Sequence, residues 1–460
     1  MAAGNRSTAS SEPRSGRRPK EERQAWPVPV PSRAELASAF AQALDLAEGR
    51  PPGHAARVGY IALNLAEGLA PEEKRAVYYA ALLHDAGATQ ASSAFCREWN
   101  LAESQLFAAG SEKSPQQLAL EVASARAEDV VEVMRQHVVL GAELARALGF
   151  RSEVQRAIAA HHERWDGHGY PRALKGEQID VAGRIVAAAD VIESLISAEP
   201  NALTARRNLP ELLATHRGVF APRLAERARE LAHGDAFWLG LHHASLTQQL
   251  PVWCPEDGER SPAGLETFAR VFADLADAKG EHTGQHSRRT AEVAARVGET
   301  LGFTEGRLAL LRIAARTADV GKLGVPARVI AKPDILSLSE METMRKHPAY
   351  SQMVLEALPG FDEIARWAGA HHERPDGKGY PELLEDAEIP IEARIIAVAD
   401  AYVALTSARP YRQALSDEDA RQVLLGGAGT QLDAKLVRLI CTPTPQATSS
   451  RTAPRSRQRR

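Results

Sequence analysis

At 460 residues, 44% of them hydrophobic, the chain is long enough for two or three domains and apolar enough to bury a core, which excludes an intrinsically disordered protein. Its formal net charge of -3 is unevenly placed: residues 1–24 carry six Lys/Arg against three acids, residues 442–460 carry five Arg and no acid, and the body between is acidic. An acidic body excludes a broad nucleic-acid-binding face, which needs clustered cations, and no run of 18 apolar residues offers a membrane span. Cys96, Cys254 and Cys441 form neither a CxxC pair nor a disulfide framework, which suits a reducing cytoplasm. The basic N-terminus has no apolar stretch behind it and does not read as a secretory signal.

Residues 1–31 read as a basic, proline-rich disordered tail that ends in an extended PVPVP segment. Ser32 and Glu35 have the spacing of a capping box and predict a helix to about Leu46. From there Ala, Leu, Glu and Arg dominate and apolar residues recur at three and four, so the fold expected is all-α, with residues 32–250 as a first helical bundle. Pro71 suits a first helical turn, and the helix it opens is predicted to stop at Gly87, leaving His84 and Asp85 near its end. Three prolines and a glycine between Pro251 and Ala263 predict a linker. Helix is expected to resume at Gly264, opening a second bundle over residues 264–441. A second capping box, Ser337 with Glu340, is predicted to start the helix that carries His347. Residues 442–460 read as an Arg-rich disordered tail.

One phrase stands twice: HHERWDGHGYP at His161–Pro171 and HHERPDGKGYP at His371–Pro381, differing only at Trp165/Pro375 and His168/Lys378. The chain is therefore two versions of one domain. His137/His347, His161/His371, His162/His372 and Asp190/Asp400 each lie 210 positions apart, whereas Asp85/Asp319 lie 234 and His54/His286 lie 232 apart. The first copy thus has about 24 extra residues between Asp85 and His137, replacing a connection rather than a ligand.

In the first copy His54, His84, Asp85, His137, His161, His162 and Asp190 supply five imidazoles and two carboxylates. That is too many for one tetrahedral site, but it suits two adjacent divalent cations bridged by Asp85, the clamp used in phosphoester hydrolysis. His286, Asp319, His347, His371, His372 and Asp400 form an incomplete second set. His168, His216, His233, His242 and His243 have no such recurrence and read as surface residues.

With these residues in place, both halves resemble the HD-GYP family of the HD metal-dependent phosphohydrolases. His84-Asp85 is the HD pair, and Gly169–Pro171 and Gly379–Pro381 are the GYP triplets; DVGKLGVP from Asp319 and SARPYR from Ser407 are further matches. The resemblance implies an all-α fold, an iron or manganese centre, and hydrolysis of cyclic di-GMP to pGpG or GMP. It implies Asp85 and Lys322 as catalytic groups, and Tyr170, Tyr380, Arg409 and Arg412 as substrate contacts. The copies depart from the pattern in opposite ways. The second has Ala318 where the HD histidine belongs. The first keeps its ligands but has Ala88, Glu199 and Ala202 where the second has Lys322, Arg409 and Arg412. Four residues before the first histidine, where the family pattern has an acid, stand Arg50 and His282.

The expectation is a cyclic-dinucleotide phosphodiesterase with two divalent ions in the first domain and at most a weakened site in the second, which acts as partner or nucleotide sensor. Two alternatives stand beside it. One is a non-catalytic signalling protein whose HD-GYP domains bind nucleotide, metal or protein partners; the other is an HD phosphohydrolase acting on mononucleotides. No DNA-binding helix pair is evident.

Overall fold

A computed structural model describes residues 27–50, 52–101, 103, 106, 127–216, 218–254, 260–280, 285–408 and 413–442. Residues 1–26 and 443–460 of the expected tails, together with Arg409 and Arg412, lie outside the described residues. Among those described there is no strand, only an isolated bridge between Ala428 and Leu432. Among the described residues no helix is long and apolar enough to cross a membrane.

The sequence repeat becomes a structural one. His54–Leu65, Pro71–Leu83, Ala127–Ala147, Ser152–Ala159 and Val181–Ser197 of the first half answer to His286–Thr300, Glu305–Thr317, His347–Glu356, Asp362–Gly369 and Ile391–Leu405 of the second. Both capping boxes form: Ser32 opens the helix Arg33–Ala47, and Ser337 opens Leu338–Met344. The latter does not carry His347, as the sequence had suggested. The chain breaks at Arg345 and Lys346, and His347 begins a new helix with Pro348 in its first turn, where a missing N–H costs nothing. The helix opened by Pro71 likewise ends at Leu83 rather than at Gly87, so His84 and Asp85 stand on a turn before the next helix, Ala88–Glu98. Within the expected linker, Leu250–Trp253 is a short 3-10 turn, and helix resumes at Pro262, two residues earlier than predicted.

One apolar core runs through both bundles. The helix Arg33–Ala47 packs between them, and its Phe40 meets Phe268 and Phe272 of the second half at ring separations of 6.0 and 4.6 Å. The extra residues of the first copy also reach across: Ala88–Glu98 packs on Ala127–Ala147 and touches Pro262–Lys279 and Ala327–Ile330. Arg97 donates to the Lys279 carbonyl at 3.4 Å.

Candidate metal centres

The turn at the end of Pro71–Leu83 is pressed against the helix that supplies the next ligand. A Cβ on Gly87 would lie 2.0 Å from the His137 carbonyl oxygen, and one on Gly321 would lie 2.0 Å from that of His347. Glycine is therefore obligatory here, because only a bare Cα lets the two backbones come this close.

All seven ligand candidates of the first half converge, in two groups. Asp85, His137, His161 and His162 each offer a donor atom within 4.8 Å of the others, and so do His54, His84 and Asp190. Asp85 joins them. Its Oδ1 lies 3.1 Å from His137 Nε2 and 3.6 Å from His161 Nε2, while Oδ2 lies 3.1 Å from His84 Nε2. His84 Nε2 and His54 Nε2 stand 3.7 and 3.6 Å from Asp190 Oδ1.

The imidazoles are oriented from behind. His84 and His161 place Nδ1 2.7 Å from the carbonyls of Ala81 and Ile158, three residues earlier, so Nδ1 donates and Nε2 is the ring nitrogen turned inward. The Nε2 atoms of His161 and His162 are buried without a hydrogen-bond partner, a state that burial makes costly unless a cation completes them. Burial alone would raise the Asp85 carboxyl; His84, His137 and His161 outweigh it and hold it well below the usual carboxylate range. Burial pushes His84 down, but Asp85 and Asp190 override it and raise its pKa well above the ordinary value. His162, buried beside His161 and His137, is held well below the ordinary imidazole range.

The second half repeats the scaffold with one substitution of charge. His347, His371 and His372 form one group and His286, Asp319 and Asp400 another. Asp319 Oδ1 lies 3.3 Å from His347 Nε2 and 3.7 Å from His371 Nε2, as in the first half. Its Oδ2 instead receives the Lys322 ammonium at 2.6 Å, with His286 Nε2 at 3.5 Å. Ala318, buried, leaves that side without the imidazole that His84 supplies in the first copy.

The repeated eleven-residue phrase is mostly architecture. Glu163 is buried and accepts the backbone N–H groups of Arg172 and Leu174 at 2.8 Å each; Glu373 does the same for Glu382 and Leu384 at 2.6 and 3.0 Å. Arg164 pairs with Asp166 and Arg374 with Asp376 across the turn. Both Tyr-Pro bonds are cis. Tyr170 stacks on His162 at 4.7 Å and is buried in a small apolar cluster with Ala88 and Phe95, while Tyr380 meets His372 at 4.9 Å and stays half-buried. His168, His233, His242 and His243 are exposed and His216 half-buried.

Three residues at the first centre were not foreseen. Glu193 Oε2 lies 2.7 Å from His54 Nδ1, and Oε1 pairs with Arg57 at 2.7 Å. Glu193 stands three residues after Asp190 on one helix, a spacing that shares a face and was a readable signal. Its counterpart in the second half is Val403. Glu48 and Arg50, on the loop before His54, carried no such signal.

Residues 53–195 and 270–436 each match a model of the HD domain. The chain belongs to the HD superfamily and, by its two GYP turns, to the HD-GYP branch. It is 30% identical over 426 residues to 3'3'-cGAMP-specific phosphodiesterase 3 of Vibrio cholerae, covering 87% of this chain and 92% of that one. Cyclic di-GMP phosphodiesterase response regulator RpfG of Xanthomonas campestris pv. campestris is 36% identical over 198 residues, 42% of this chain and 50% of that one. The crystal structure of a cyclic GMP-AMP specific phosphodiesterase of V. cholerae matches at a TM-score of 0.63 with 28% identity, covering 88% of this chain and 96% of that one.

Proposed function

We propose that the chain is a metal-dependent phosphodiesterase that opens a cyclic dinucleotide, with the chemistry at the first centre. The observation that carries this is Asp85, whose two oxygens face two separate groups of imidazoles. The donor set suits a pair of divalent cations, since the buried Nε2 atoms of His161 and His162 have no hydrogen-bond partner and stand in one group with the Asp85 carboxylate. Bound there, iron or manganese would supply an activated water and neutralise charge on the phosphate. The protein residues fix the frame: backbone carbonyls set the tautomers of His84 and His161, and Glu193 orients His54. Opening one bridge adds water across a P–O bond, with the hydroxyl going to phosphorus and the proton to the departing ribose oxygen.

The second centre, with Lys322 on Asp319 and no imidazole at Ala318, is read as a weakened site that binds nucleotide through Lys322 and Tyr380. For the substrate, 3'3'-cGAMP is taken ahead of the cyclic di-GMP expected from the sequence. The support is that the V. cholerae relative matched along both halves is named for cGAMP, whereas RpfG is matched over 42% of this chain. The test is turnover of 3'3'-cGAMP, cyclic di-GMP and mononucleotides by purified protein with manganese or ferrous iron, followed chromatographically. Linear dinucleotide should appear from a cyclic one. Binding without any product would instead make the protein a receptor, and faster hydrolysis of mononucleotides would overturn the substrate class.

A further inference from the structure

The first centre is closed on the side where the second is open. His372, Tyr380, Lys322 and Asp400 are each partly exposed, whereas their counterparts His162, Tyr170, Ala88 and Asp190 are all buried. Of the seven ligand candidates in the first half, only Asp85 and His162 show appreciable surface, each 9% exposed, against 0–2% for the rest. That is too little for a phosphodiester flanked by two nucleosides to meet Asp85.

The cover is built by residues that the first copy adds. Ala88–Glu98 leaves the ligand turn at Gly87 and packs on Ala127–Ala147, which begins ten residues before His137, whereas its counterpart begins at His347 itself. In the second half the chain at this point makes only the short turn Val320–Gly324. Ala88, Ala91 and Phe95 recur at three and four, and Val130, Met134 and Val138 at four, so each set forms one stripe along its helix. The two stripes and Tyr170 make an apolar cluster of their own, apart from the core that runs through both bundles. Past the helix, Leu101 N–H donates to the Cys96 carbonyl at 2.9 Å, and the chain is tied to the second bundle where Glu103 meets Lys279.

We propose that the helix Ala88–Glu98 is a lid on the first centre, lifting off Tyr170 to admit the cyclic dinucleotide, so that turnover is limited by its opening. The proposal rests on the phosphodiesterase reading above and adds its gate. A small cluster separate from the main core can part while both bundles stay folded. Closed, the lid keeps water from the buried carboxylates and imidazoles, which strengthens every charge interaction among them. The second half, without such a cover, takes up and releases nucleotide with no opening step.

The test compares the full-length, manganese-loaded wild type with Phe95→Ala. Loss of the ring takes packing from the closed lid, so opening should become at least about tenfold more frequent. Cys96, on the lid and 0% exposed, reports this. Its alkylation by N-ethylmaleimide, located by peptide mass spectrometry, should quicken by that factor, while Cys254, buried in the main core, should label as before. The kcat/KM for 3'3'-cGAMP should rise severalfold with metal content unchanged. Unaltered labelling of Cys96, or faster labelling with kcat/KM unchanged or lowered, would overturn the lid and make the helix a fixed wall. If Phe95→Ala does not fold, hydrogen exchange of the wild type decides. Amides of residues 92–96 should exchange by local opening, faster than those of Val181–Ser197 and without response to dilute urea; exchange at the rate and urea response of Val181–Ser197 would overturn the proposal. Absence of turnover in the wild type would defeat the phosphodiesterase reading alone, and labelling and exchange would still uphold or overturn the lid.

Discussion

Lys279 and Glu103 form a buried ion pair between the two halves, Nζ to Oε1 at 3.0 Å, with side chains 1% and 3% exposed. Glu103 belongs to the extra residues of the first copy, and Lys279 ends the first helix of the second. Lys279 is further tied to the turn that carries Asp319 and Lys322, donating to the Leu323 carbonyl at 2.6 Å, and Glu103 to the helix that follows, accepting the Ala327 N–H at 3.0 Å. Burial pushes the Lys279 ammonium below its usual pKa, and Glu103 offsets only part of that. The insertion is thus a strut from one centre to the backbone of the other.

Glu103→Gln should leave an ammonium buried beside a neutral partner and destabilise the protein by about 3–5 kcal/mol. Replacing both partners, as Glu103→Leu with Lys279→Met, should recover much of that loss. Denaturant unfolding of the full chain reads both. A single variant as stable as the wild type would show that the pair contributes nothing to holding the halves together.

Asp85→Asn removes the bridge between the two imidazole groups and should abolish metal loading of the first centre, with turnover falling at least about a hundredfold. Asp319→Asn, by contrast, should leave most of the turnover in place. Elemental analysis and product formation on the same samples check this. Equal losses from the two substitutions would move the chemistry out of the first half.

Gly169→Ala should be far more damaging than Gly68→Ala. A Cβ on Gly169 would lie 2.3 Å from the Arg164 backbone nitrogen, so the GYP turn must open and shift His162. Gly68 has φ +88° but open space around its Cβ, so alanine there carries only the left-handed penalty of about 1–2 kcal/mol. Thermal unfolding should rank the two, with Gly169→Ala also losing metal.

The Arg–Asp pairs of the turns predict an acid-side slope. Burial opposes the Asp166 carboxylate, but Arg164 overrides it and holds its pKa below the ordinary value; Arg374 does the same for Asp376. A depressed folded pKa means that the stabilisation is present above the unfolded value of about 3.9 and is lost as pH falls through the folded one. Asp166→Asn with Asp376→Asn should therefore flatten the decline of stability below about pH 4, measured by urea unfolding across the acid range. An unchanged slope would mean that the pairs persist when unfolded.

The ligands were legible in the sequence because all but His84 recur in the second copy, four of them at one spacing of 210 positions, and His84 because it stands beside Asp85; the all-α fold was legible because apolar residues recur at helical intervals. What escaped has no counterpart to align. Glu193 answers to Val403, so comparison of the halves passes over it, although it orients His54 from behind. Glu103 and Lys279 are 176 positions apart in the chain and meet only once both bundles are built. The break before His347 was missed because a capping box says where a helix begins and nothing about where it ends.

Phe40 lies on a helix of the first half yet packs its ring against Phe268 and Phe272 of the second, within an apolar interior that has no seam. Melting should accordingly be a single cooperative event. By mass action, a cation captured at Asp85 would then raise the unfolding free energy of both bundles, including the copy that has lost its own histidine.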